Sequence, residues 1–191
     1  MWKLYSPSRA EKVIRKYNDW IRKVSASYKL PAPMIKAVLY QELTQIDLGD
    51  LAADLMVLAG IFGKQDSSTG YAQIFGRVAL NAANFAVDQG LADYRSLGIE
   101  SDHRLDPEDR RDVRKVWKII HRNPRQNIEL ASLNLLSAAE EMTGRIDFSS
   151  YSAEELTLIL TRYNADVKQA TAYGREAYRH YLRYSEEQRE S

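Results

Sequence analysis

The stretch 37-AVLYQELTQIDLGD-50 sets one carboxylate, Glu42, at the end of a run of apolar and uncharged residues. Asp47 and Asp50 follow, with Asp54 a turn later. A helix C-terminus carries partial negative charge and favours cations, so an acid there is electrostatically misplaced unless its chemistry is needed. Upstream, Pro33 suits the first turn of a helix, and Met34, Ile35, Val38 and Leu39 are too continuous for a surface element. The stretch therefore reads as a central, buried helix with Glu42 at its far end.

Outward from it, the chain reads as helices punctuated by caps, with no convincing alternating strand and no Asn-Gly or Asp-Gly hairpin signal. The expected class is all-α. Ser8-x-x-Glu11 forms a capping box, and Val13, Ile14, Tyr17, Ile21, Val24 and Tyr28 continue as one amphipathic N-terminal helix over residues 1–30, packed on the core and ended by Pro31. The segment 51-LAADLMVLAGIF-62 predicts a third helix and 63-GKQDSSTG-70 a loop. Residues 77–89 look helical up to Gly90, and 91–105 read as an irregular, flexible connection. Asp106-Pro107 and Asn123-Pro124 each read as an N-cap with proline at the first helical position. The second of these helices faces the core through Ile128, Ala131, Leu135, Ala138 and Met142 until Gly144 closes it. Ser152-x-x-Glu155 caps another helix, and a final one is rich in tyrosine. No repeat or linker divides the chain, so one domain over 1–191 is expected, long enough to need no staples.

Composition narrows the function. With 27 Lys+Arg against 26 Asp+Glu, the net charge of +1 leaves no global footprint for nucleic acid or an anionic membrane, and any such binding must be local. Absence of cysteine removes disulfides and thiolate metal cages and leaves the redox compartment open. MWKLYSPSRAEK lacks the apolar core of a signal peptide, and no stretch approaches a membrane span. No phosphate loop, Gly-x-Ser-x-Gly elbow or His-Glu-x-x-His pair occurs, and His103, His121 and His180 stand isolated. No metal or organic cofactor is expected. What remains is a carboxylate site led by Glu42: apolar neighbours disfavour its charged form, raising its pKa toward what a general acid needs. A Glu at a helix end is otherwise most often a solvated charge.

Three later segments turn the balance. The stretch 66-DSSTGYAQI-74 resembles the Ser/Gly-rich turn ending in Gly-x-x-Gln of the lysozyme-like superfamily, 123-NPRQNIELASLNLL-136 its Pro-x-x-Asn-Ile helix, and 162-RYNAD-166 its Tyr-Asn signature. Each is weak alone, but together and in order they resemble the goose-type lysozyme and soluble lytic transglycosylase group from about Met34 to about Tyr178. The resemblance implies a lysozyme-like helical fold and cleavage of peptidoglycan between N-acetylmuramic acid and N-acetylglucosamine. It implies Glu42 as catalytic acid, and a substrate cleft lined by Ser68, Gly70, Tyr71 and Gln73 with Tyr163 and Asn164 close to the acid. Two departures stand out: Leu43 replaces the serine that usually follows the acid, and Gly70-Tyr71-Ala72-Gln73 keeps only the ends of Gly-Leu-Met-Gln.

The second carboxylate decides the reaction. An inverting hydrolase holds one about 6.5–9.5 Å from the acid and a retaining one about 5–5.5 Å, whereas a lytic transglycosylase, by resemblance, needs only the acid. Asp66 is the hydrolase candidate by resemblance, against a purely local role hydrogen-bonding its own turn. Asp47, Asp50 and Asp54 are alternatives, Asp50 and Asp54 reading better as residues of the third helix's N-terminal turn. The expectation is a muramidase acting as a monomer on glycan strands, with a lytic transglycosylase as rival and a non-catalytic helical adaptor as a further one; phage delivery, export and injection all stay open as routes to the cell wall. Arg175, Arg179 and Arg183 share a helical face that reads as solvated, or as a patch for anionic wall polymer or nucleic acid. Tyr173, Tyr178 and Tyr181 read as core and rim packing, and Trp2, Trp20 and Trp117 as structural.

Overall fold

A computed structural model describes residues 3–59 and 66–190. Trp2, the end of the expected third helix at 60–62 and the start of its loop at 63–65 lie outside the described residues. Within them the chain is mostly helical, in the order α1 (Pro7–Lys16), α2 (Asn18–Tyr28), α3 (Ala32–Gln45), α4 (Leu48–Ala59), β1 (Ser68–Thr69), β2 (Ile74–Phe75), α5 (Gly76–Asp88), α6 (Arg110–Arg122), α7 (Pro124–Thr143), α8 (Ala153–Asn164) and α9 (Ala172–Arg189).

Helix α3 buries almost its whole circumference, from Pro33, Met34 and Ile35 through Val38, Leu39 and Leu43. It packs against α1, α2, α7 and α9. Helix α7 is a second buried hub: Ile128, Leu130, Leu133, Leu135 and Leu136 face different neighbours, and it touches α2, α3, α5, α6 and α8. Asn123 caps it with its side chain on the Arg125 amide, Pro124 opens it, and Gly144 ends it at φ +72°. The capping box at Ser152 and Glu155 opens α8 as expected. Gly174 sits where α9 crosses α8, since a Cβ there would lie 1.9 Å from Thr161 Oγ1.

Five expectations need correcting. The N-terminal segment is two helices, broken at Tyr17, where weak helix formers Tyr17, Asn18 and Asp19 follow one another. Its cap is Ser6, accepting from the Arg9 amide, because Pro7 takes the first helical position and leaves Ser8 inside. Asp106-Pro107 does not open α6: Asp106 closes a turn onto the Glu108 amide, and Asp109 caps the helix through the Arg111 amide at 2.7 Å. A short antiparallel hairpin, Ser68 opposite Phe75 and Thr69 opposite Ile74, has its first strand inside the expected loop and its second just beyond it; two residues per strand leave no alternation to read. Finally, 91–105 is tied to the core: Tyr94, Leu97, Ile99 and Leu105 are buried, and Asn84 donates to the Leu105 carbonyl while Tyr94 donates to Asn84.

Candidate active site

Glu42 sits in the last turn of α3, 8 % exposed. Because α3 is packed on nearly all sides, its end delivers the carboxyl into a largely dry setting. Burial pushes its pKa up to about 7, opposed by a hydrogen bond that the Tyr173 hydroxyl of α9 donates to Oε1 at 2.5 Å, and assisted by the charge of Asp50. Burial first, and then the Glu42 charge, raise the Tyr163 and Tyr173 phenols well above their ordinary value, so both stay hydrogen-bond donors.

Across from Glu42 stands the turn Gly70–Gln73 that joins the two strands. Gly70 at φ +74° and Gln73 at φ +43° both occupy the left-handed region. For a non-glycine such as Gln73 that is uncommon and is sustained by surrounding contacts. The contacts are visible. Asn127, fully buried on α7, donates to the Thr69 carbonyl and accepts from the Ala72 amide, both at 2.9 Å. The Tyr163 hydroxyl of α8 donates to the Ala72 carbonyl at 2.7 Å. Gln73 folds its own amide back onto the Gly70 carbonyl at 2.8 Å. A Cβ on Gly70 would meet Asn127 Nδ2 at 2.3 Å, so the glycine is required both for its φ and for the close approach.

Glu42, Gln73, Phe75, Asn134, Tyr163 and Asn164 line a groove of about 240 Å3, which Arg162 and Asp166 also border. Gln73 and its turn also form a wall of a second groove of about 320 Å3, lined by Tyr5, Arg9, Asp50, Asp54, Tyr71 and His121. Gln73 thus stands between two open depressions. Tyr71 lies against Tyr5 and Tyr17 on the second side, at ring distances of 6.4 and 5.6 Å. Behind that wall, buried Asp54 accepts from the hydroxyls of Ser67 and Thr69 at 2.7 Å each, and Thr69 Oγ1 lies 2.8 Å from His121 Nδ1. Because the Thr69 proton goes to Asp54, the His121 Nδ1 proton points at Thr69. Trp117 stacks on His121 and donates to Ser67.

The carboxylates divide by role. Asp66 does not line the groove with Glu42. Its two oxygens accept from the Gly76 amide at 2.6 Å and the Arg77 amide at 3.0 Å, fastening the start of α5, and burial raises its pKa against those bonds. Ser68 lies in β1 and lines neither groove. Asp47 and Asp50 cap α4 reciprocally, Asp47 accepting from the Gly49 amide and Asp50 from the Asp47 amide. Asp54, expected in that first turn, instead sits a turn later and braces β1.

No family model, curated protein or solved structure matches the chain. The site rests on its own geometry. Sequence reading places Glu42, Gln73, Tyr163 and Asn164 together, as the groove does, but misses Tyr173, Asn134, Phe75 and Asn127. Tyr173, read from sequence as core and rim packing, does pack against the core, and its hydroxyl also reaches the acid across 131 positions of sequence. Only the tyrosine-rich composition of α9 hints at it.

Proposed function

We propose that the groove binds a glycan strand of peptidoglycan and that Glu42 protonates the glycosidic oxygen between N-acetylmuramic acid and N-acetylglucosamine, on a lysozyme-like helical domain. The observation that carries this reading is a carboxyl at the end of a buried helix, 8 % exposed yet lining an open groove, a setting whose desolvation raises its pKa to about 7. A general acid works best when its pKa lies near the working pH. The order of the three segments that resemble the goose-type lysozyme and lytic transglycosylase group supports it, since Asn127 and Tyr163 from two of them brace the turn in the third.

The geometry favours the single-carboxylate route. With both Asp66 oxygens engaged by α5 amides, the carboxylate on which the hydrolase expectation relied is committed elsewhere. Glu42 then donates its proton as the bond to the leaving oxygen breaks, and the muramic acid's own hydroxyl attacks the anomeric carbon, returning a proton to Glu42 and closing a 1,6-anhydro ring. A muramidase is the second reading, favoured by one observation: Asp50 lines the adjoining groove and its charge reaches Glu42. In that case Asp50, not Asp66, directs the water. A purely binding role leaves the desolvated acid without a purpose. Digestion of purified cell walls tests the proposal: wild type releases soluble fragments and Glu42→Gln, folded, releases none, whereas lysis by Glu42→Gln rules out the acid's role.

A further inference from the structure

The arginines of α9 are engaged. Arg183 pairs with Glu11 at 2.8 Å and lies over the rings of Tyr40 and Tyr184, Arg179 pairs with Glu176, and Arg175 donates to the Ala170 carbonyl. A different cationic face lacks a neutralising partner among the described residues for most of its charges, although Arg114 and Lys115 donate to the backbone carbonyls of Leu58 and Glu100. Helix α6 buries Val113, Val116, Trp117 and Ile120, and turns Arg110, Arg111, Arg114, Lys115 and Lys118 to a common surface depression. Arg111 is partly neutralised by Asp109 at 2.9 Å. Among the described residues no carboxylate pairs with Arg110, Arg114, Lys115 or Lys118. In a chain of net charge +1 this is a local concentration of positive charge.

An apolar patch adjoins it. Arg114 Nη2 donates to the Leu58 carbonyl at 3.3 Å, so the end of α4 abuts the cationic face. There Leu55, Met56 and Leu58 are 64, 39 and 39 % exposed. Cations alone would serve any polyanion, and exposed leucines alone would mark any apolar contact. Side by side they match the headgroup region of a bilayer, where phosphates lie just above the acyl boundary.

We propose that the cationic face of α6 and the apolar end of α4 together dock this protein on an anionic lipid bilayer surface. The contact is peripheral, with leucine side chains entering the headgroup layer and the guanidinium and ammonium groups meeting phosphates. It does not depend on what the Glu42 groove cleaves.

Co-sedimentation with vesicles tests it, comparing phosphatidylcholine alone with phosphatidylcholine containing phosphatidylglycerol. The wild-type chain should bind the anionic vesicles at least roughly tenfold more tightly. Arg110→Glu with Lys118→Glu should lose roughly tenfold or more of that binding, and Leu55→Ser with Leu58→Ser should weaken it several-fold, both variants keeping the wild-type circular dichroism and melting profile. Absence of wild-type binding, equal binding to both vesicles, or unchanged binding of both variants overturns the proposal. Loss confined to the charge variant, with binding competed away by inorganic polyphosphate, overturns it in favour of a soluble polyanion.

Discussion

At Glu42 the folded protein binds a proton more tightly than the unfolded chain, because burial lifts the carboxyl from its ordinary 4.5 to about 7. The stability this gives is complete below about pH 4.5 and is lost as pH rises through 7, where the buried group must ionise. A shift of that size corresponds to about 3 kcal/mol. Glu42→Gln keeps an acceptor for the Tyr173 hydroxyl and never ionises, so it should be more stable than wild type at pH 8 by about 1–3 kcal/mol, with the difference vanishing near pH 4, as urea unfolding at the two pH values would read. Tyr173→Phe removes the hydrogen bond that favours the charged form. If Glu42 acts as proposed, the alkaline limb of the pH–activity profile follows loss of its proton and should therefore move to higher pH, with KM little changed; a shift to lower pH would contradict the role proposed for Tyr173.

The elements around the acid show what a linear reading can and cannot reach. Caps and continuous apolar runs announce α3, α7 and α8, because the groups that open a helix lie within a few residues of it. The break at Tyr17 and the two-residue strands escape, since the propensity differences around Tyr17, Asn18 and Asp19 are small and two residues per strand leave no alternation to read. Asp66 shows the same limit at the site. Its place before the Gly-x-x-Gln turn fits a water-positioning carboxylate, but only the fold shows that α5 starts where its oxygens point. Asp66→Asn should cost about 1 kcal/mol in thermal unfolding while the folded fraction keeps the proposed wall-lytic activity at the wild-type rate; a lost rate with intact stability would return Asp66 to the chemistry.

At the scale of the whole molecule, the site exists because α3, α8, α9 and the hairpin meet. Contacts between residues as distant as Glu42 and Tyr173, or Ala72 and Tyr163, carry no local signature, and resemblance to a family could place Tyr163 but not Tyr173. Gly174 is where this assembly is tightest. A Cβ there would lie 1.9 Å from Thr161 Oγ1 and 2.7 Å from the Thr157 carbonyl, forcing α9 away from α8. Gly174→Ala should destabilise by about 1–3 kcal/mol, and by displacing the neighbouring Tyr173 it should lower the lytic rate further than the folded fraction explains, which parallel unfolding and rate measurements would show.

The proposed function comes down to a single buried acid breaking the glycan strand with the sugar's own hydroxyl as nucleophile. Mass spectrometry of the muropeptides released from purified peptidoglycan reads this directly. The wild-type chain should release new 1,6-anhydromuramic acid ends and Glu42→Gln none; fragments ending in reducing muramic acid, or no fragments at all, would overturn this chemistry.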